Sequence, residues 1–118
     1  MKVSNERKKE LQEQYRLTKP DMGIFAIIRR SSPKYYLEAT QDLKSAMNGA
    51  EFKLNAGMHP RRELQEDWKE AGKDGFEIKV LEQAEYDKDE SKVDYEDDLA
   101  LLKLMWVEKL TGEAVELY

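Results

Sequence analysis

The chain has 118 residues, of which 40% are hydrophobic and 38% charged, with no cysteine and a net charge of −5. This length closes one hydrophobic core, and the apolar share argues against wholesale disorder. The missing cysteines exclude disulfides, thiolate catalysis and cysteine-ligated zinc, and no apolar run resembles a signal sequence or a membrane span, so a cytoplasmic protein without membrane contact is expected.

Chain order begins with a charged segment over residues 4–18, read as a weakly amphipathic helix with Leu11 and Tyr15 one turn apart. Ser4 or Asn5 can cap it and Pro20 ends it. So narrow an apolar stripe marks an appendage, which divides the chain into residues 1–20 and a core domain over residues 21–118. From Met22 to Ile28 the period changes to a short apolar run rich in strand formers. Ser31, Ser32 and Pro33 supply turn chemistry, and Lys34 to Thr40 forms a second strand, so the pair reads as an antiparallel hairpin.

A short helix is expected from Asp42 to Asn48, stopped by Gly49, followed by a stretch of mixed signals with a loop at Gly57. Pro60 suits a first helical position and Gly72 the residue past a helix end, with Leu64, Trp68 and Ala71 at helical spacing between them. Phe76, Ile78 and Val80 alternate as a third strand. An acidic loop follows. The last helix, over about residues 94–110, carries Leu99, Leu101, Leu102, Leu104, Met105, Trp106, Val107 and Leu110, which is the pattern of a mostly buried helix. The fold class is therefore α+β: a small three-stranded antiparallel sheet flanked by helices, with an extra N-terminal helix.

Charge is unevenly spread. Residues 82–98 hold nine acids and two lysines, a balance of −7, so the remainder carries +2 and can still present a basic face.

Two triplets and their spacing carry a resemblance. Gly23-Ile24-Phe25 on the first strand and Tyr36-Leu37-Glu38 on the second stand ten residues apart. With Thr40, Asp42 and Leu43, the segment Leu64 to Gly72, and Phe76 to Glu82, they resemble the GIY-YIG nuclease superfamily over residues 22–110. For active members the resemblance implies phosphodiester hydrolysis with one divalent ion. Two motif tyrosines would surround the water, an arginine on the first core helix would hold the phosphate, and a glutamate on the last helix would hold the metal. Such a set has a physical reason: a hard cation takes carboxylate oxygens, and charge developing on phosphorus needs a donor aimed at it.

Measured against that pattern, Phe25 has no phenolic oxygen. Tyr36 keeps the second tyrosine, and Glu38 adds bulk and negative charge where a glycine stands. The arginine window, Ala46 to Gly49, holds no cation, and Lys103 occupies the glutamate's place three residues before Trp106. No catalytic residue and no metal ligand is expected from this set. Phe25, Tyr36, Glu38 and Lys103 are remnant positions, with Lys103 expected either to snorkel to water or to pair with Glu38. Tyr36 reads as a core tyrosine with a tied hydroxyl, and His59 as part of a helix start.

Asp87, Asp89 and Ser91 alternate as in a calcium loop, but the turn glycine is replaced by Lys92, so a solvated acidic loop is expected. Arg29, Arg30, Lys34, Arg61 and Arg62 are the candidate binding residues, for nucleic acid if they converge on one face. A protein partner is the other candidate. The sequence thus reads as a non-hydrolytic binding module without cofactors. The alternatives are a divergent endonuclease that recruits a carboxylate for Mg²⁺ or Mn²⁺, and a self-associating structural protein.

Overall fold

The computed structural model describes residues 19–118. The expected helix over residues 4–18 lies outside the described residues. Strand β1 (Met22–Arg29) pairs antiparallel with β2 (Lys34–Thr40), as the hairpin reading requires, with Phe25 opposite Glu38 and Ile27 opposite Tyr36. On its other side β1 pairs antiparallel with β3 (Phe76–Ala84). Every residue from Met22 to Ile28 is buried. A strand with no polar face needs cover on both sides, and it has it.

Phe25 and Ile27 face helices α1 (Leu43–Ala56) and α2 (Arg62–Ala71), packing with Leu43, Ala50, Leu54, Leu64, Trp68 and Phe76. Ala26 and Ile28 face the opposite way and, with Leu37, meet Trp106, Val107 and Leu110 of helix α3 (Glu96–Gly112). Helices therefore cover both faces of the sheet. Trp68 Nε1 donates to Asn55 Oδ1 at 3.1 Å, fastening α2 to α1.

The sheet departs from the expected three antiparallel strands. A fourth strand, β4 (Glu116–Leu117), lies parallel to β2, and the strand order is β3-β1-β2-β4. Two residues carry no readable alternation, so pairing reveals this strand where pattern does not. Tyr118 N–H donates to the Tyr35 carbonyl at 2.9 Å and closes the join.

Three helix readings are also corrected. The first helix runs through Gly49 to Ala56 and stops at Gly57, whose φ of 76° is left-handed. Leu43, Ala50 and Leu54 form one buried stripe, and burying that stripe outweighs the cost of a mid-helix glycine. The second helix starts at Arg62, two residues beyond Pro60. In α3, Leu99 and Leu110 are buried but Leu101, Leu104 and Met105 are more than half exposed. The sheet offers α3 a single face to pack on, so no described element covers its outer leucines.

Gly23, the glycine of the first triplet, has a structural reason to be glycine. The β1–β3 register shifts between Ile24 and Phe25, and the strands crowd there. A Cβ on Gly23 would lie 2.0 Å from the Glu82 main-chain oxygen.

Candidate functional site

The remnant positions begin on β2, where alternation puts Tyr36 and Glu38 on the face that meets α1 and α2. Phe25 stands opposite Glu38 with no exposed surface. Its ring is part of the core, not of a solvent-facing site. Ala46 and Met47, in the window where an arginine would be needed, pack against that same core. Tyr36 is half-buried and its hydroxyl donates to Glu38 Oε1 at 2.9 Å. Burial and the neighbouring Glu38 carboxylate push the Tyr36 phenol well above its usual range, so it stays protonated and acts as a donor.

His59 lies edge-on to Tyr36 with ring centroids 5.2 Å apart. Its Nδ1 accepts from the Arg61 main-chain N–H at 3.0 Å, and its own N–H donates to Gln65 Oε1 at 2.9 Å. These bonds fix the chain entering α2. Burial lowers the His59 pKa below 6.5, partly opposed by the Glu38 charge, so the ring is neutral near pH 7.

The suggested Lys103–Glu38 ion pair does not form: Lys103 makes no ion pair among the described residues. The reason is topological. Glu38 points to the α1/α2 side of β2, while α3 packs on the other side. Lys103 instead lines a cleft at the open edge of β2.

That cleft has a volume near 520 Å³ and is lined by Tyr35, Tyr36, Leu37, Pro60, Arg61, Lys103, Val107, Leu117 and Tyr118. It wraps around the strand edge, because β4 covers only Lys34 and Tyr35.

The five candidate basic residues divide between two places. Arg29 pairs with Asp67 at 2.9 Å, and Asp67 also accepts the Tyr118 hydroxyl at 2.6 Å. Lys34 pairs with Glu63 and stands over the Tyr118 ring at 4.8 Å. Arg61 Nη2 donates to the Tyr118 main-chain oxygen at 2.7 Å. These three gather around Tyr118. Arg30 turns away, donating to the Phe76 carbonyl at 3.2 Å. Arg62 is exposed beside Arg61 and does not line the cleft. Tyr118 links this cluster, and sequence reasoning missed it because no pattern marked the tail.

A divalent ion requires several oxygen or nitrogen ligands converging at one point. Among the described residues no group of three or more His, Asp or Glu side chains does so. The Glu38 carboxylate accepts from Tyr36, and Lys103 offers an ammonium. In the acidic loop, exposed Asp87 and Asp89 accept the main-chain N–H groups of Asp89 and Ser91 at 2.9 and 3.0 Å. The residues present do not fit the metal that the resemblance implies.

Among solved structures, the chain is similar to the catalytic domain of the homing endonuclease I-TevI. The TM-score is 0.64 at 23% identity, covering 80% of this chain and 94% of that one. A second similar structure is the catalytic domain of the intron endonuclease I-TevI with a glutamate-to-alanine substitution. There the TM-score is 0.63 at 22% identity, covering 81% of this chain and 90% of that one. No family model and no curated protein matches the sequence. At this identity the likeness shows the fold: a GIY-YIG-like architecture carried by a divergent sequence.

Proposed function

We propose that this chain is a nuclease-fold binding module that holds nucleic acid without hydrolysing it. The observation that carries the reading is the pair at the two motif positions. Phe25 is sealed in the core opposite Glu38, and the Glu38 carboxylate is engaged by the Tyr36 hydroxyl. A phenol held above its normal pKa and bonded to a carboxylate neither activates water nor faces an approaching phosphate favourably. Fold alone does not assign activity, so the argument rests on these side chains.

Nucleic acid is favoured over a protein partner because Arg61 and Lys103 both line the β2-edge cleft, whose lining includes no Asp or Glu side chain. The fold likeness to an endonuclease domain supports the same ligand class.

The test is plasmid nicking by the purified protein in Mg²⁺ and then in Mn²⁺, with Tyr36→Phe alongside. The expected outcome is supercoiled plasmid throughout. The divergent-endonuclease reading draws on the proximity of Glu38, Tyr36 and His59. Nicking by the wild type that disappears in Tyr36→Phe would establish it in place of the binding module. Salt-independent self-association with no nucleic-acid binding would favour the structural role.

A further inference from the structure

Strand β1 is paired along both edges, but β3 is paired along one, and among the described residues no strand lies against its outer side. An open strand edge presents a row of main-chain donors and acceptors to which another strand can add. One bond fixes which groups face outward: Arg30 N–H donates to the Gly75 carbonyl at 2.9 Å. Antiparallel pairs alternate between positions that exchange bonds and positions that do not. Counted from Arg30–Gly75, the register turns the main-chain groups of Glu77 and Lys79 inward to Ile28 and Ala26, and those of Phe76, Ile78 and Val80 outward. Phe76 already gives its N–H to the Lys73 carbonyl, and its own carbonyl accepts from Arg30 Nε. That leaves the outward groups of Ile78 and Val80 for a partner. Clefts beside Phe76, Glu77 and Ile78, and beside Val80 and Gln83, keep the edge accessible.

The side chains on this edge select the partner. Glu77 and Lys79 stand two residues apart on one face of β3, and neither makes an ion pair among the described residues. A lysine in the middle of an edge strand ordinarily discourages pairing. Here the glutamate beside it makes the edge complementary to itself. When two copies meet antiparallel about Ile78, each Glu77 lies opposite Lys79 of the second copy, at the closely spaced position that exchanges no main-chain bonds. Ile78 then exchanges both of its bonds with its own copy, and exposed Val80 comes opposite Phe76. Registers centred on Glu77 or Lys79 set like charges directly opposite each other, which is destabilising. One centred on Val80 runs into the irregularity at Leu81, where the β1–β3 register shifts.

We propose that this edge is a dimer interface: two copies of the chain join through β3 into one continuous sheet, antiparallel about Ile78, with Glu77 paired to Lys79 across the two-fold axis in both directions. The inference is independent of the nucleic-acid reading, because the outer edge of β3 lies at the opposite margin of the sheet from the β2-edge cleft.

The test is sedimentation velocity on the full chain at concentrations up to about 0.2 mM, because so short a strand pair buries less than a standard interface. A monomer–dimer equilibrium is expected. Lys79→Glu and Glu77→Lys each turn both attractive pairs into repulsive ones, and each should weaken the dimer at least about tenfold. The double variant Glu77→Lys/Lys79→Glu should associate as the wild type does. An equimolar mixture of the two single variants should form a heterodimer, since every facing pair across the join is then opposite in sign. Leu104→Glu, on the exposed face of α3, should leave the dimer unchanged. Glu77 is half-buried and Lys79 exposed, and a thermal melt verifies that each variant folds.

A monomer at every concentration overturns the proposal. So do a dimer that Lys79→Glu leaves intact, a mixture of the single variants that stays monomeric, and a dimer dissolved by Leu104→Glu, which would move the interface to α3. Plasmid nicking would sink the binding-module reading and leave the dimer standing, whereas a monomeric wild type leaves that reading intact.

Discussion

His59 is the chain's single histidine, so its titration can be read without interference from another imidazole. Burial depresses its folded pKa below the 6.5 of an open chain. In the window below 6.5 the unfolded chain therefore binds more protons than the folded one, and stability falls as pH is lowered. The melting temperature is expected to drop between about pH 7.5 and 5, and His59→Gln should flatten that dependence. A wild-type profile that is flat, or that rises on acidification, would contradict the assignment.

Gly23 makes an independent prediction at the same scale. A Cβ only 2.0 Å from the Glu82 oxygen forces β1 and β3 apart at the register shift. Gly23→Ala should cost at least about 2 kcal/mol in urea unfolding, in the range of other backbone conflicts. Close packing of β1 against β3 thus accounts for the glycine at this position on its own. The legible part of the site lies in residue identity: Phe25, Glu38 and Lys103 stand where the resembled pattern has a tyrosine, a glycine and a glutamate. What neighbours what was not legible. Lys103 and Glu38 are separated by the sheet, and no spacing along one chain reveals on which face a distant helix will pack.

Among the elements, the strands are more legible in the sequence than the helices. β1 is a continuous apolar run, β2 follows the turn chemistry of Ser31, Ser32 and Pro33, and β3 alternates, so their positions follow from pattern. In the sequence Gly49 reads as the terminator of helix α1. The later stripe of Ala50 and Leu54 continues the apolar face begun at Leu43, and tertiary packing carries the helix past the glycine. A Cβ there would meet nothing within 4 Å. Gly49→Ala should therefore stabilise the protein by about 0.5–1 kcal/mol, the difference between these residues inside a helix. An unchanged denaturation midpoint would mean that Gly49 has a role other than helix continuity.

Helix α3 carries a different lesson. A run of leucines predicts burial only when there is enough surface to bury them against. Here one sheet face accommodates Trp106, Val107 and Leu110, while Leu101, Leu104 and Met105 remain outward.

For the molecule as a whole, stability is expected to be graded from the centre outward. β1 is covered on both faces and bonded along both edges, whereas β4 contributes two residues at the margin of the sheet. Hydrogen exchange should place the amides of Phe25 and Ile27 among the slowest and that of Tyr118 among the fastest of the sheet-bonded groups. The reverse ranking would mean that the tail, not the hairpin, anchors the sheet.

The marginal position of β4 also bears on the order of assembly. Strands β1 and β2 are joined by a tight turn and can pair early, but β4 must return across most of the sequence to meet Lys34 and Tyr35. Long loops close slowly and late in folding. One wall of the cleft, Leu117 and Tyr118, therefore arrives after the core that supports it. Ligand binding at the cleft would report completion of folding, and a chain with a formed core but an undocked tail would be compact yet unable to bind.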